Sequence, residues 1–222
     1  MARHRLLFSK TGRARYLSHL DLMRTIQRVF ARAGVAVRHT EGFNPHAYVS
    51  VALPLSVGVG SDCELLDFEL ADDTPLACLP ELLTRNMPEG IVVLAAYEAE
   101  RKLKDIAFLR VRGVLTYDGE ADVTELATGL SAFFAQESIL VKKLNKKKAI
   151  TEVDIIPLVR EISFTSDGAH RVQMEAVLSA QNPGLNPSLL IEALRQHSPE
   201  LVPDFVQFAR VEVYDGGMGV FR

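Results

Sequence analysis

The spacing of apolar residues along this chain changes in a set order, and that order occurs twice. Residues 5–9 are short and alternating, as a half-buried strand requires. Leu22, Ile26, Val29, Phe30 and Ala33 then recur at i, i+4, i+7, i+8 and i+11, the stripe of a helix buried on one face. Ser18 stands three residues ahead of Asp21, a capping box with Asp in the Glu position, and Gly34 supplies the stop. Segments 35–39 and 48–52 flank a turn-rich stretch. Residues 63–70 read as a strand, 75–86 as a helix with Leu76, Leu79, Leu82 and Leu83 inward, and 91–97 as a strand.

The second half repeats this pattern. Residues 108–117 are extended, 123–134 helical, 155–165 and 171–180 a hairpin across Ser166-Asp167-Gly168, 186–197 helical and 205–214 extended. Two βαββαβ runs predict an α+β chain of two tandem ferredoxin-like units with antiparallel sheets, over 1–100 and 106–222. The charged stretch 98–106 separates them.

Several classes are excluded. An apolar share of 48 % in 222 residues is ordinary globular composition, not that of a disordered chain. Apolar runs are short and interrupted by Pro or Gly, far from the about 20 residues a membrane span needs. No signal-peptide core opens the sequence, and Cys63 and Cys78 cannot make a disulfide framework or a Cys-x-x-Cys site. A cytoplasmic protein without a membrane partner is expected.

Charge is concentrated at the start. Residues 1–50 hold nine basic and two acidic side chains, a formal +7, and the remainder carries −10, for a net −3. Eight of those nine are arginine, suited to bidentate grip on phosphate or carboxylate. Arg24, Arg28 and Arg32 fall at i, i+4 and i+8, a ridge of repelling charges with no acid between them. Two readings stand: the ridge meets a polyanion or an acidic partner, or Glu64, Asp67 or Glu69 neutralises it. Lys10, Arg13 and Arg15 lie in the Gly-containing loop before that helix, where its N-terminus adds partial positive charge. A second basic run holds Lys142, Lys143, Lys146, Lys147 and Lys148.

The segment Glu41-Gly42-Phe43-Asn44-Pro45-His46-Ala47-Tyr48 is a forced turn rich in aromatics. Phe43 and Tyr48 offer stacking faces for unpaired bases, and Phe43 serves equally well as a plug for the core beneath. Asp62, Glu64 and Asp67 are oxygen donors, but no metal is assigned to them. Gly216-Gly217-Met218-Gly219-Val220 reads either as a backbone nest for phosphate or as a frayed tail.

Tyr16-Leu17-Ser18-His19-Leu20-Asp21-Leu22-Met23-Arg24, Gly42-Phe43-Asn44-Pro45-His46, Leu53-Pro54-Leu55 with Gly58, and Asp154-Ile155-Ile156-Pro157 resemble the radical-SAM-linked protein family. This is a bacterial domain-of-unknown-function family, found free-standing or appended to a radical-SAM-type protein; the resemblance here is to the free-standing form. The chain departs from the family pattern at Ala47-Tyr48-Val49, which lacks the expected Pro and basic residue. Radical cleavage of S-adenosylmethionine needs three thiolates on an iron–sulfur cluster, which two cysteines cannot supply. No cofactor is expected, and any radical chemistry would sit in a separate enzyme. At the level of fold, the first unit also resembles CRISPR RNA-processing proteins with paired ferredoxin-like domains.

Together these features point to an RNA-binding or RNA-associated accessory protein without intrinsic enzymatic activity. Its phosphate grip would come from Lys10, Arg13, Arg15, Arg24, Arg28, Arg32 and the lysine run, with Phe43, Asn44 and Tyr48 beside it. Two alternatives remain open. One is a metal-independent RNA endonuclease using His19 and His46 as proton carriers. The other is an interaction module for a separate radical-SAM or RNA-processing enzyme.

Overall fold

The computed structural model describes residues 3–43, 45–119, 122–144 and 150–222. It is a mixed α+β structure in which the strands of each unit pair antiparallel. The chain divides into two compact units, Met1–Asp105 with Val220–Arg222, and Ile106–Gly219. The last three residues therefore group with the first unit, which differs from the expected 106–222 span. Among the described residues, no helix is long and apolar enough to cross a membrane.

The first unit runs β1 (His4–Lys10), α1 (His19–Arg32), β2 (Val49–Val51), β3 (Gly60–Phe68), α2 (Leu79–Thr84) and β4 (Ile91–Glu98). Its strands lie in the order β4-β1-β3-β2, with Leu6 opposite Leu66 on one side and Ala96 on the other. The apolar stripe of α1 lands as its spacing requires: Leu22, Ile26, Val29 and Phe30 are buried against Leu6, Phe8, Leu66 and Phe68, with Phe30 and Phe68 rings 5.3 Å apart. Ser18 Oγ accepts from the Asp21 backbone N–H at 3.2 Å, and Gly34 closes the helix at φ +71°. Two expectations change. Residues 35–39 form only isolated bridges, Val37 with Leu70 and His39 with Ala47, because the turn at Gly42 and Pro45 interrupts the pairing. The helix expected over 75–86 spans only Leu79–Thr84, with a 3-10 turn before it, since Pro80 has no N–H to continue a helical ladder from upstream.

The second unit runs β5 (Ile106–Thr116), α3 (Val123–Phe134), β6 (Leu140–Leu144), β7 (Ile150–Asp154), β8 (Val159–Ser166), β9 (Arg171–Ser179), α4 (Ser188–His197) and β10 (Phe205–Asp215). Its main sheet has the order β10-β5-β9-β8. Asp122 caps α3 by accepting from the Thr124 and Glu125 N–H groups. The hairpin β6–β7 is an insertion that the periodicity did not anticipate; its alternation is broken by lysines. Gln196 holds it, donating to the Lys142 carbonyl and accepting from the Lys142 N–H, both at 2.9 Å.

The C-terminal segment is not a frayed tail. Asp215 Oδ1 accepts from the N–H groups of Gly217 and Gly219, so that turn is closed by a carboxylate and its N–H groups are not open to phosphate. Phe221 is fully buried, with the Arg5 and Arg101 guanidiniums 5.0 and 4.5 Å from its ring centroid.

Candidate nucleic-acid interface

The basic loop after β1 is built from beneath. Gly12 adopts φ +53° and starts a 3-10 turn over Gly12–Tyr16, which buries Ala14. Lys10, expected among the phosphate ligands, is 2 % exposed; its Nζ lies 3.4 Å from the Arg15 carbonyl. It supports the loop and does not reach solvent, because its position on β1 points into the unit. On the far side, the Thr11 N–H donates to the Gly90 carbonyl at 2.7 Å. Gly90 has φ +90°, and a Cβ there would stand 2.4 Å from the Thr11 oxygen. Only glycine allows this approach.

That contact brings the segment between α2 and β4 against the basic loop and encloses a groove of about 720 Å3 in the first unit. Arg13, Ala14 and Leu17 come from the loop, Thr25, Arg28, Ala31 and Arg32 from α1, and Asn86, Met87, Pro88 and Glu89 from the opposite wall. Thr25, Arg28 and Arg32 recur at i, i+3 and i+7, which places them on one helix face. Arg32 Nη2 donates to the Asn86 carbonyl at 2.6 Å and ties helix to wall. Among the described residues, Arg13 and Arg28 make no side-chain hydrogen bond or ion pair, and neither does Glu89. The groove thus combines three guanidiniums, one carboxylate and an apolar floor.

Not every expected cation joins it. Arg24 is turned off this face, its Nη1 3.6 Å from an Asp21 oxygen. Arg15 donates to the Gly12 carbonyl at 2.9 Å and lies over the Tyr16 ring. Neutralisation of the ridge by Glu64, Asp67 or Glu69 does not occur. Asp67 binds buried Arg5 through both oxygens, at 2.6 and 3.1 Å; Glu69 pairs with Arg38 at 3.1 Å, and Glu64 is buried. Met87, Pro88 and Glu89 escaped sequence reasoning, since they are an unremarkable loop until the fold sets them opposite Arg13.

The turn-rich loop lies elsewhere in the unit. Phe43 is 108 % exposed, so it plugs no core, and Tyr48 lies partly exposed under the Arg38 guanidinium at 5.4 Å. His46 borders a cavity of about 520 Å3 with Gln27, Ala31 and His39. His19 is the first residue of α1, eight and twelve residues ahead of Gln27 and Ala31. A rise of 1.5 Å per residue separates it from that cavity wall by roughly 12–18 Å along the helix. The structure therefore does not bring His19 and His46 together; the imidazole sharing the cavity is His39. In the second unit Lys142 is exposed, 3.8 Å from Glu152, and Lys143 pairs opposite Thr151 on the hairpin. Asn44, Lys146, Lys147 and Lys148 lie outside the described residues. Among those described, no three His, Cys, Asp or Glu side chains gather as a metal site.

An antiparallel α+β chain with an arginine-lined groove in its first unit is the class that fold and site define. The chain belongs to the family described as "Uncharacterized protein conserved in bacteria (DUF2344)", which matches residues 3–187. No curated protein matches it. Among solved structures it is similar to a chain of a Cbf5-Nop10-Gar1 complex, at 9 % identity and a TM-score of 0.52, over 95 % of this chain and 48 % of that one. It thus spans about half the length of that chain, and the likeness is one of fold. A second similar structure is an unknown protein from Galdieria sulphuraria, at 11 % identity, 95 % and 98 % coverage and a TM-score of 0.27.

Proposed function

We propose that this protein is an RNA-binding accessory protein whose first unit grips phosphates in the arginine groove. The observation that carries this reading is the convergence of Arg13, Arg28 and Arg32 on one opening, with Arg13 and Arg28 uncommitted among the described residues. Guanidiniums that no carboxylate bridges repel one another, and a phosphate relieves that repulsion while accepting bidentate hydrogen bonds. Single strands suit the groove better than duplex, because its floor of Ala14, Leu17, Met87 and Pro88 offers apolar contact that only an unpaired base can use. Exposed Phe43 adds a second stacking face.

The strand order β4-β1-β3-β2 of the first unit and β10-β5-β9-β8 of the second supports reading both as ferredoxin-like, the second carrying the β6–β7 insertion. The likeness to radical-SAM-linked proteins supports a separate enzyme as partner. With only Cys63 and Cys78 in the chain, the three thiolates of a radical-SAM cluster would come from that partner.

Fluorescence anisotropy with labelled single-stranded RNA tests the grip. Binding should weaken with salt, and Arg13→Glu with Arg28→Glu should weaken it about tenfold or more at low salt. Unchanged affinity in that double variant would overturn the reading.

A further inference from the structure

The carboxylate is the least expected group in a groove made for phosphate. Glu89 shares its lining with three arginines, yet among the described residues it pairs with none of them. A surface meant only for the RNA backbone gains nothing from an acceptor-only group, which repels the phosphate it is meant to hold. An unpaired acid and unpaired guanidiniums lining one opening are instead complementary to a ligand with donors on one edge and acceptors on the next.

Of the four RNA bases, guanine has that pattern. Its N1–H and N2 amino group present two adjacent donors to a carboxylate's two oxygens, and its O6 and N7 accept bidentately from a guanidinium. Uracil presents one donor between two carbonyl oxygens, which a carboxylate repels. Adenine and cytosine offer one amino donor beside an acceptor. We propose that the groove reads a single guanine of the bound RNA. Glu89 accepts from its N1–H and N2 amino group, one guanidinium donates to O6 and N7, and a second holds the adjoining phosphate. Leu17, Met87 and Pro88 contact the base plane. The volume of about 720 Å3 is that of a small-molecule site, which suits one nucleotide and not a folded partner. The tether from Arg32 to the Asn86 carbonyl, with the Thr11–Gly90 contact, keeps the backbone of this wall in place without the ligand.

This inference rests on the RNA-binding reading, and the experiment separates the two. Anisotropy is measured on the full chain with labelled U8 and with the same octamer carrying one central guanosine, inosine, adenosine or cytidine. The guanosine octamer should bind about tenfold or more tightly than U8. Inosine, which lacks the N2 amino group, should fall between them. In Glu89→Ala the guanosine octamer should weaken and U8 tighten, bringing the two within about twofold, while Glu89→Gln should retain part of the preference. A thermal melt of each variant, unchanged from the parent, excludes loss of fold. Equal binding of all five octamers in the parent protein overturns the base reading and leaves the phosphate grip standing. So does a guanosine preference that survives Glu89→Ala. Absence of binding by every octamer at low salt overturns both, as does displacement of RNA by an oligoglutamate peptide at equal concentration.

Discussion

Arg5 shows how charge in a sequence can mislead about charge on a surface. It adds to the positive excess of the first fifty residues, yet it is fully buried, paired with Asp67 and donating to the Arg101 carbonyl at 2.7 Å. Removing one partner of such a pair strands the other, a loss of about 3–5 kcal/mol. Asp67→Asn should therefore lower stability by an amount of that order in chemical denaturation. Phe221 closes the same cluster; Phe221→Ala should cost about 3–5 kcal/mol as a cavity forms between two guanidiniums. Gly90 matters for another reason. Gly90→Ala drives a methyl group to within 2.4 Å of the Thr11 oxygen, so the groove wall must retreat. RNA affinity should fall together with thermal stability, and a variant with both unchanged would disprove the contact.

Helices and strands were legible where burial follows one period. α3 falls on residues 123–134 as its spacing requires, and α1 ends one residue short of the expected Ala33. α2 was overestimated, because leucine spacing continued where Pro80 and the 3-10 turn did not. The β6–β7 hairpin was missed because Lys142 and Lys143 interrupt the apolar alternation on a strand held by α4. The loop between β5 and α3 carries a titratable lock: Tyr117 donates to the Leu201 carbonyl at 3.0 Å, and burial, with Asp204 nearby, pushes its hydroxyl up to about 12 from 10.0. A raised phenol means that the folded state holds its proton more tightly than the unfolded state does. The resulting stability is complete below pH 10 and is lost as pH rises from about 10 to 12. The thermal midpoint should drop across that window, and Tyr117→Phe should flatten the drop. At acid pH the lock at Asp154 acts in the opposite sense. Hydrogen bonds from Ser138, Ile139 and Ile156 hold its carboxyl below the usual range, so its contribution disappears as pH falls through that lowered value.

For the whole molecule, a net charge of −3 gives no general attraction to a polyanion, so the proposed RNA binding rests on a local surface. With one or two phosphates engaged at the groove, the slope of log affinity against log salt should be about −0.7 to −1.4, and about 0.7 less steep for each phosphate-bound arginine removed. A slope of −5 or steeper would mean that many more cations act than the groove holds. The sequence by itself determined the alternation of the main strands and helices outside the β6–β7 hairpin, the α1 stripe and its cap, and the excess of arginine near the start. Those depend on neighbours within a turn or two, where spacing alone decides which side chains share a face. Only the tertiary structure decided which cations remain in solvent and what they face: Arg5 and Lys10 went inward, while Arg13, Arg28 and Arg32 came to line one groove with Glu89, more than fifty residues away. Convergence over that separation depends on backbone approaches such as Gly90 to Thr11, and no local period records them.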